Sequence, residues 1–175
     1  MATDADAEFS ALVQRQSRFV FRVAYAVLLN SHDAEDAVQE TFLKLYRNRG
    51  WIRAENERAF LARVAWHIAL DHKRRQSPSV SLSTDSPEMK ETPSADPDPQ
   101  EEVTAADQRA LVHVCIDSLA EELRVPLVLS AFEELTSREV AAILDIPEGT
   151  VRTRLQRARQ LLRQKLTSMQ ETRYA

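Results

Sequence analysis

The stretch LTSREVAAILDIPEGTVRTRLQRARQLLRQKL, residues 135–166, decides the fold. Thr136 is followed three residues later by Glu139, the spacing of a capping box, so a helix opens here and runs through Leu144. Asp145-Ile146-Pro147-Glu148-Gly149-Thr150 is a turn, in which Asp145 can take a left-handed conformation and Pro147 suits the first turn of a following helix. That next helix places Val151, Leu155, Ala158, Leu162 and Leu166 on one side at steps of four, three, four and four. Its other faces carry Arg152, Arg154, Arg157, Arg159, Arg163 and Lys165, and no acidic residue occurs between 151 and 170. A capped short helix, a tight turn and a basic amphipathic helix make a helix-turn-helix, whose second helix fits a DNA major groove. A solvated face is the commoner fate of charges at helical spacing. Six bases without an acid, directly after this turn, shift the balance to DNA.

Working upstream, residues 109–119 form another helix with Leu111, Val114, Cys115 and Leu119 on its core side and His113 in solvent. Ser118 and Glu121 offer a second capping box for a helix in whose early turns Pro126 lies, so that helix kinks or starts late. Residues 108–175 are therefore a four-helix domain ending in the helix-turn-helix.

The 31 residues before it differ in kind. Residues 77–107 hold five of the seven prolines, six serines and only four large apolar residues, Val80, Leu82, Met89 and Val103. Their net charge is −7, against +2 for residues 1–76 and +1 for 108–175, which gives the −4 of the 175-residue chain. Such a segment buries too little surface to offset its ordering entropy and is expected to be a disordered linker. At ~3.3 Å per residue it could span up to ~100 Å, enough for two domains to engage well-separated sites.

Residues 1–76 read as a second helical domain. Phe9, Leu12, Val13, Val20, Val23, Ala24, Val27 and Leu28 fall at the spacing of a buried helical stripe. Ser31 and Asp33 offer N-cap oxygens for a helix over 34–48, which Gly50 can close in a left-handed conformation. On that helix Val38, Thr41 and Leu45 face the core. Asp36, Gln39, Glu40, Leu43 and Tyr46 line the neighbouring faces, with Phe42 at the edge. A third helix over 57–75 packs through Leu61, Val64, Ala65, Ile68 and Ala69 and groups Arg63, His67, Asp71 and Arg74 on one side. With 6% aromatic residues and two glycines, a sheet-rich fold with many tight turns is not expected, and the expected fold class is all-α.

These residues resemble a family. DAEDAVQETFLKLYR (33–47), followed by FLARVAWHIALDHKRR (60–75), looks like domain 2 of the extracytoplasmic-function (ECF, group IV) sigma factors of bacterial RNA polymerase, within the sigma-70 family. The stretch 135–166, and above all GTVRTRLQRAR (149–159), closely resembles sigma domain 4. The resemblance implies a sigma factor that binds core RNA polymerase and directs promoter-specific initiation. It assigns polymerase docking to Asp36, Gln39, Glu40, Phe42 and Tyr46. Without the resemblance, the favoured reading is that Asp36 and Glu40 are helix-start acids complementing the macrodipole and that Phe42 and Tyr46 are core. Recognition and melting of the −10 element fall to Trp51 as stacking surface, to His67 and Asp71 at the base edge, and to Arg63, Lys73, Arg74 and Arg75 at the backbone. Trp51 is equally read as a loop aromatic folded onto the core, and His67 with Asp71 as a hydrogen bond one turn apart. For the −35 element, Arg152, Thr153, Gln156 and Arg157 would face base edges. Thr150, Arg154 and Arg159 would sit nearer phosphates or the preceding helix. The chain departs from the family at His67, usually Asn, at Phe60, usually Trp, and at Asp145 and Glu134, where glycine is usual.

Promoter DNA, duplex at −35 and single-stranded at −10, and core polymerase are thus the implied partners. Many family members are held inactive by an anti-sigma protein, which adds that partner class. An operator-binding dimeric regulator is the first alternative, but no spare amphipathic helix offers a dimer seam. Response-regulator relatives lack support, since the first half shows no alternation of strands and helices. An enzyme is not expected, because no nucleophile, base and orienting group occur at usable spacing and no Gly-rich phosphate loop is present. No cofactor is expected, nor a metal: His67 and Asp71 share a face, but His72 points about 100° away. The lone Cys115 suits a reducing compartment and core filling. With no apolar run near the roughly 18 residues of a membrane helix and no basic leader, the chain is expected in the cytoplasm.

Overall fold

The computed structural model describes residues 4–77 and 99–174, with side chains described for 4–77 and 105–172. Among them the regular structure is all helical: α1 (Asp4–Leu28), α2 (Ser31–Asn48), a 3-10 turn (Gly50–Arg53), α3 (Glu57–Gln76), α4 (Pro99–Asp117), α5 (Glu121–Leu127), a π-helical turn (Val128–Phe132), α6 (Ser137–Leu144) and α7 (Glu148–Tyr174). Most of the expected linker, 78–98, lies outside the described residues. Its final stretch does not: α4 starts at Pro99, ahead of the boundary expected at 108.

α1 packs on both α2 and α3. Its buried stripe, Leu12, Phe19, Val20, Val23, Ala24, Ala26 and Val27, meets Ala34, Ala37, Thr41 and Leu45 of α2 and Leu61, Ala62, Ala65, Ile68 and Ala69 of α3. The small residues let the three helices approach closely. The α1–α2 corner is made by Leu29, with φ 51°, and by Asn30, whose side chain accepts a hydrogen bond from Asp33 N at 2.9 Å. Asn30, rather than Ser31 or Asp33, is therefore the cap.

α2 also ends differently from expectation. Arg49 takes the left-handed conformation (φ 47°), and its N–H donates to Leu45 O. Gly50 has no positive φ; it is small because a Cβ there would come within 3.2 Å of the Phe60 ring.

In the C-terminal unit α7 packs on α4, α5 and α6. The capping box of α6 forms as expected: Glu139 N donates to Thr136 Oγ1, and Thr136 N donates to the Glu139 carboxylate at 2.7 Å. Those bonds hold the Glu139 carboxyl below its ordinary pKa. Asp145 is left-handed (φ 54°) and so is Glu134 (φ 57°), the two positions where the resembled family favours glycine. Pro147 sits just before α7, its carbonyl accepting from Thr150 and Val151.

Three expectations around α4 and α5 fail. The Ser118 hydroxyl donates back to Cys115 O instead of capping α5, whose cap position, Ala120, has no side-chain bond. Val114 is 55% exposed, whereas Cys115 and Ile116 are buried, so the core stripe of α4 runs one step round from the expected line. His113 is only half-buried and stacks on Phe132 at 6.3 Å. Pro126 is buried in α5, and two residues later the helix changes to π register. A proline removes a helical N–H and crowds the preceding turn, which accounts for a short α5.

The two units touch. α1 lies against α5 and the π turn, and α3 lies against α6. The buried Arg124 guanidinium donates to Ala26 O at the end of α1 and to Leu119 O, both at 2.6 Å. Tyr25 OH donates to Asp117 at 3.1 Å; burial, with the Asp117 charge second, pushes the phenol up to about 12.

Candidate functional site

The first candidate surface is α2. Its helical turns bring Asp36, Gln39 and Leu43 to one exposed side, beside the half-buried Glu40. Glu40 is held by α3: its carboxylate lies 2.6 Å from His72 Nε2 and 3.8 Å from Arg75. Tyr46 is 45% exposed, its ring edge-on to Phe9 and its hydroxyl donating to Asp6 at 3.2 Å. Phe42 departs from the docking assignment. It is only 7% exposed and packs edge-on against Phe9, because it falls between Thr41 and Leu45 on the buried side. The exposed apolar side chain of this surface is Leu43, at 55%. Its spacing of three, four and seven from Glu40, Gln39 and Asp36 was the sequence signal for it.

The second surface is α3 and the turn before it. Arg63, His67, Asp71 and Arg74 are all exposed along one side. His67 and Asp71 do not bond to each other: His67 Nδ1 pairs with Arg63 O at 2.7 Å, and Asp71 lies 3.7 Å from Arg74. Lys73 is paired with Glu121 of α5 and Arg75 with Glu40, so these two cations are already engaged. Trp51 is half-buried against Phe9, ring centroids 6.0 Å apart, and its Nε1 is buried without a protein partner. The ring therefore packs on the core in the manner of a folded-back loop aromatic and leaves only part of itself for stacking. Among the described residues no three His, Cys, Asp or Glu side chains gather as a metal group.

The third surface is α7, about 40 Å long by helical rise. Val151, Leu155 and Ala158 are buried, which turns Arg152, Thr153, Gln156, Arg157 and Arg159 to solvent. Thr150 and Arg154 are half-buried at the flank. Arg154 lies 3.9 Å from Glu122 of α5, and Arg152 pairs with Glu148 one turn back at 3.3 Å. Thr153 Oγ1 donates to Gly149 O at 3.0 Å, which fixes its rotamer. The face so formed is a row of cations and hydrogen-bonding amide and hydroxyl groups with apolar anchoring beneath, suited to base edges and phosphates.

A three-helix unit and a helix-turn-helix unit bearing these surfaces define a two-domain DNA-binding protein. Residues 12–78 match the model of sigma-70 region 2, and residues 109–162 match sigma-70 region 4. The chain is 30% identical to the ECF RNA polymerase sigma factor SigW of Bacillus subtilis over 95% of its own length and 92% of that protein. It is also 30% identical to the RNA polymerase sigma-H factor of Pseudomonas aeruginosa, covering 88% and 83% of the two chains. With SigE of Mycolicibacterium smegmatis it shares 33% identity over 87% of this chain, but it spans only 59% of that longer relative. Among solved structures, the sigma factor RpoE bound to the anti-sigma factor NepR, from Bartonella quintana, superposes with a TM-score of 0.68 at 18% identity, covering 91% of this chain and 97% of that one. CnrH in complex with the cytosolic domain of CnrY gives 0.59 at 21% identity, covering 91% and 88%. The chain belongs to the ECF sigma factors.

Proposed function

We infer that this sigma factor docks on core RNA polymerase through the exposed side of α2, with Asp36, Gln39, Leu43 and Tyr46 at the contact and Glu40 at its edge. α7 enters the major groove of the −35 element, where Arg152, Thr153, Gln156 and Arg157 read base edges, and Thr150, Arg154 and Arg159 hold the flanking backbone. α3 serves the −10 element: His67 and Asp71 meet the base edge of the melted strand, Arg63, Lys73, Arg74 and Arg75 meet its phosphates, and the exposed part of Trp51 provides stacking. The compartment is the cytoplasm, where polymerase and DNA are. Among the described residues no helix is long and apolar enough to cross a membrane.

The observation that carries this reading is the exposed face of α7, free of acids from 151 to 170 and directly after the capped α6 and its left-handed turn. Each neutralised phosphate releases counterions and contributes about −0.9 to the slope of log K against log salt, so six cations from Arg152 to Lys165 set a limit near −5. Titrating the C-terminal half of the binding reaction, with a −35 duplex and the full chain, should give a slope of several units. A slope near zero would remove the DNA assignment.

A further inference from the structure

Glu133 follows the π turn of the C-terminal unit, and its side chain is completely buried. Two arginines of the N-terminal unit close on it: Arg22 of α1 through Nε and Nη2, and Arg58 of α3 through Nη2 at 2.7 Å. Arg58 also lies over the Phe19 ring, 4.6 Å from its centroid. A carboxylate leaves water only where charge and hydrogen bonds compensate it, and here both compensating groups come from the other domain. Separating the units would strip Glu133 of both partners at once. The closure continues along α3, where Asn56 bonds to Glu139 at one end and Lys73 pairs with Glu121 at the other.

This closed arrangement conflicts with reading two promoter boxes together. The −35 and −10 elements lie about 25 base pairs apart, ~85 Å along B-form DNA at ~3.4 Å per pair. The path from Arg157 back to Glu139, across its bond to Asn56 and on to His67, is about 60 Å even if every piece lay in line. The two reading faces therefore cannot both be seated while the units are joined. The docking side of α2 and the face of α7 remain exposed in the closed form.

We propose that Glu133 is an interdomain clasp that holds the free sigma factor closed, and that its release from Arg22 and Arg58 is a required step of promoter engagement. The second half of this proposal rests on the sigma reading above; the first half does not. Arg22 and Arg58 are each more than 40% exposed, so the charge pattern can be reversed from either side, with helix content as the check that each domain stays folded.

Small-angle scattering of the full-length protein, with far-UV circular dichroism to confirm helicity, reads the closure directly. Glu133→Lys, and separately Arg22→Glu with Arg58→Glu, should expand the molecule without loss of helix, and the three changes together should restore the compact profile. Identical profiles for wild type and both reversed variants would overturn the clasp, as would failure of the triple variant to close when both parents have opened. In the presence of core polymerase, Glu133→Gln should bind a two-box promoter duplex at least threefold more tightly than wild type and bind a −35-only duplex unchanged. Equal or weaker two-box binding would overturn the role in promoter engagement. If wild type binds no promoter with core while scattering behaves as expected, the clasp stands and the sigma reading falls.

Discussion

The two halves of this sigma factor carry their interfaces in different ways. In the C-terminal half, the face of α7 follows from chemistry within 35 consecutive residues: a capping box, a left-handed residue, a proline and a helix whose apolar stripe is buried. In the N-terminal half, the exposed side of α2 is defined by what α1 and α3 cover, so it depends on residues 30 or more positions away, such as Phe9 against Phe42 and His72 against Glu40. A surface set by local geometry is legible in sequence, whereas one set by packing becomes legible only once the packing is known.

The pair Phe42 and Leu43 offers the hardest way to break this contrast. Phe42→Ala removes a buried ring and should cost about 3–5 kcal/mol of unfolding free energy. Leu43→Ala should change stability by no more than about 0.5 kcal/mol and weaken polymerase affinity by about 1–2 kcal/mol. Denaturant titration and a polymerase binding isotherm on both variants check this, and the reverse assignment would follow if Phe42→Ala were the one that left stability intact.

On α7 the expected effect is smaller and confined to DNA. Arg157→Ala should lose about 1–3 kcal/mol, concentrated at one −35 position, if the guanidinium reads a base. Uniform weakening over a panel of single-position −35 variants would place it on phosphate instead. Either result keeps α7 as the reading helix; no change on any sequence would remove Arg157 from the interface.

The smallest effect concerns the turns. Glu134 is left-handed without being glycine, a conformation that costs an L-residue roughly 1–2 kcal/mol, part of which glycine returns as unfolded-chain entropy. Glu134→Gly should therefore stabilise the protein by up to about 1 kcal/mol, seen as a raised midpoint in thermal or urea unfolding. A loss of stability would show that its neighbours, among them the buried Glu133, depend on the side chain at this position.

Much of the fold was readable because its signals are short-range. The positions of α2, α3, α6 and α7, the Thr136–Glu139 box and the left-handed Asp145 all follow from side chains within one or two turns of each other. The failures share a different cause. Ser118 and Glu121 have capping-box spacing, but Ser118 ends α4, where its hydroxyl finds Cys115 O first. Gly50 after a helix suggests conformational freedom, yet it is small because of Phe60, ten residues on. Val114 and Cys115 lie one position apart, and which of them α7 covers is settled by tertiary packing: Cys115 Sγ meets Met169 at 3.4 Å. The clasp was invisible for the same reason, since Arg22 and Glu133 are 111 residues apart and neither has a local partner pattern that marks it.

The α2 assignment is therefore the one to test most directly, by co-elution of the purified chain with bacterial core RNA polymerase for wild type and Asp36→Arg side by side. Asp36 is exposed, so the variant should keep its helical content and its −35 DNA binding. Docking through α2 predicts that wild type co-elutes and the variant does not. Co-elution of both would move docking off this face, and failure of both with DNA binding intact would contradict the assignment of the N-terminal half altogether.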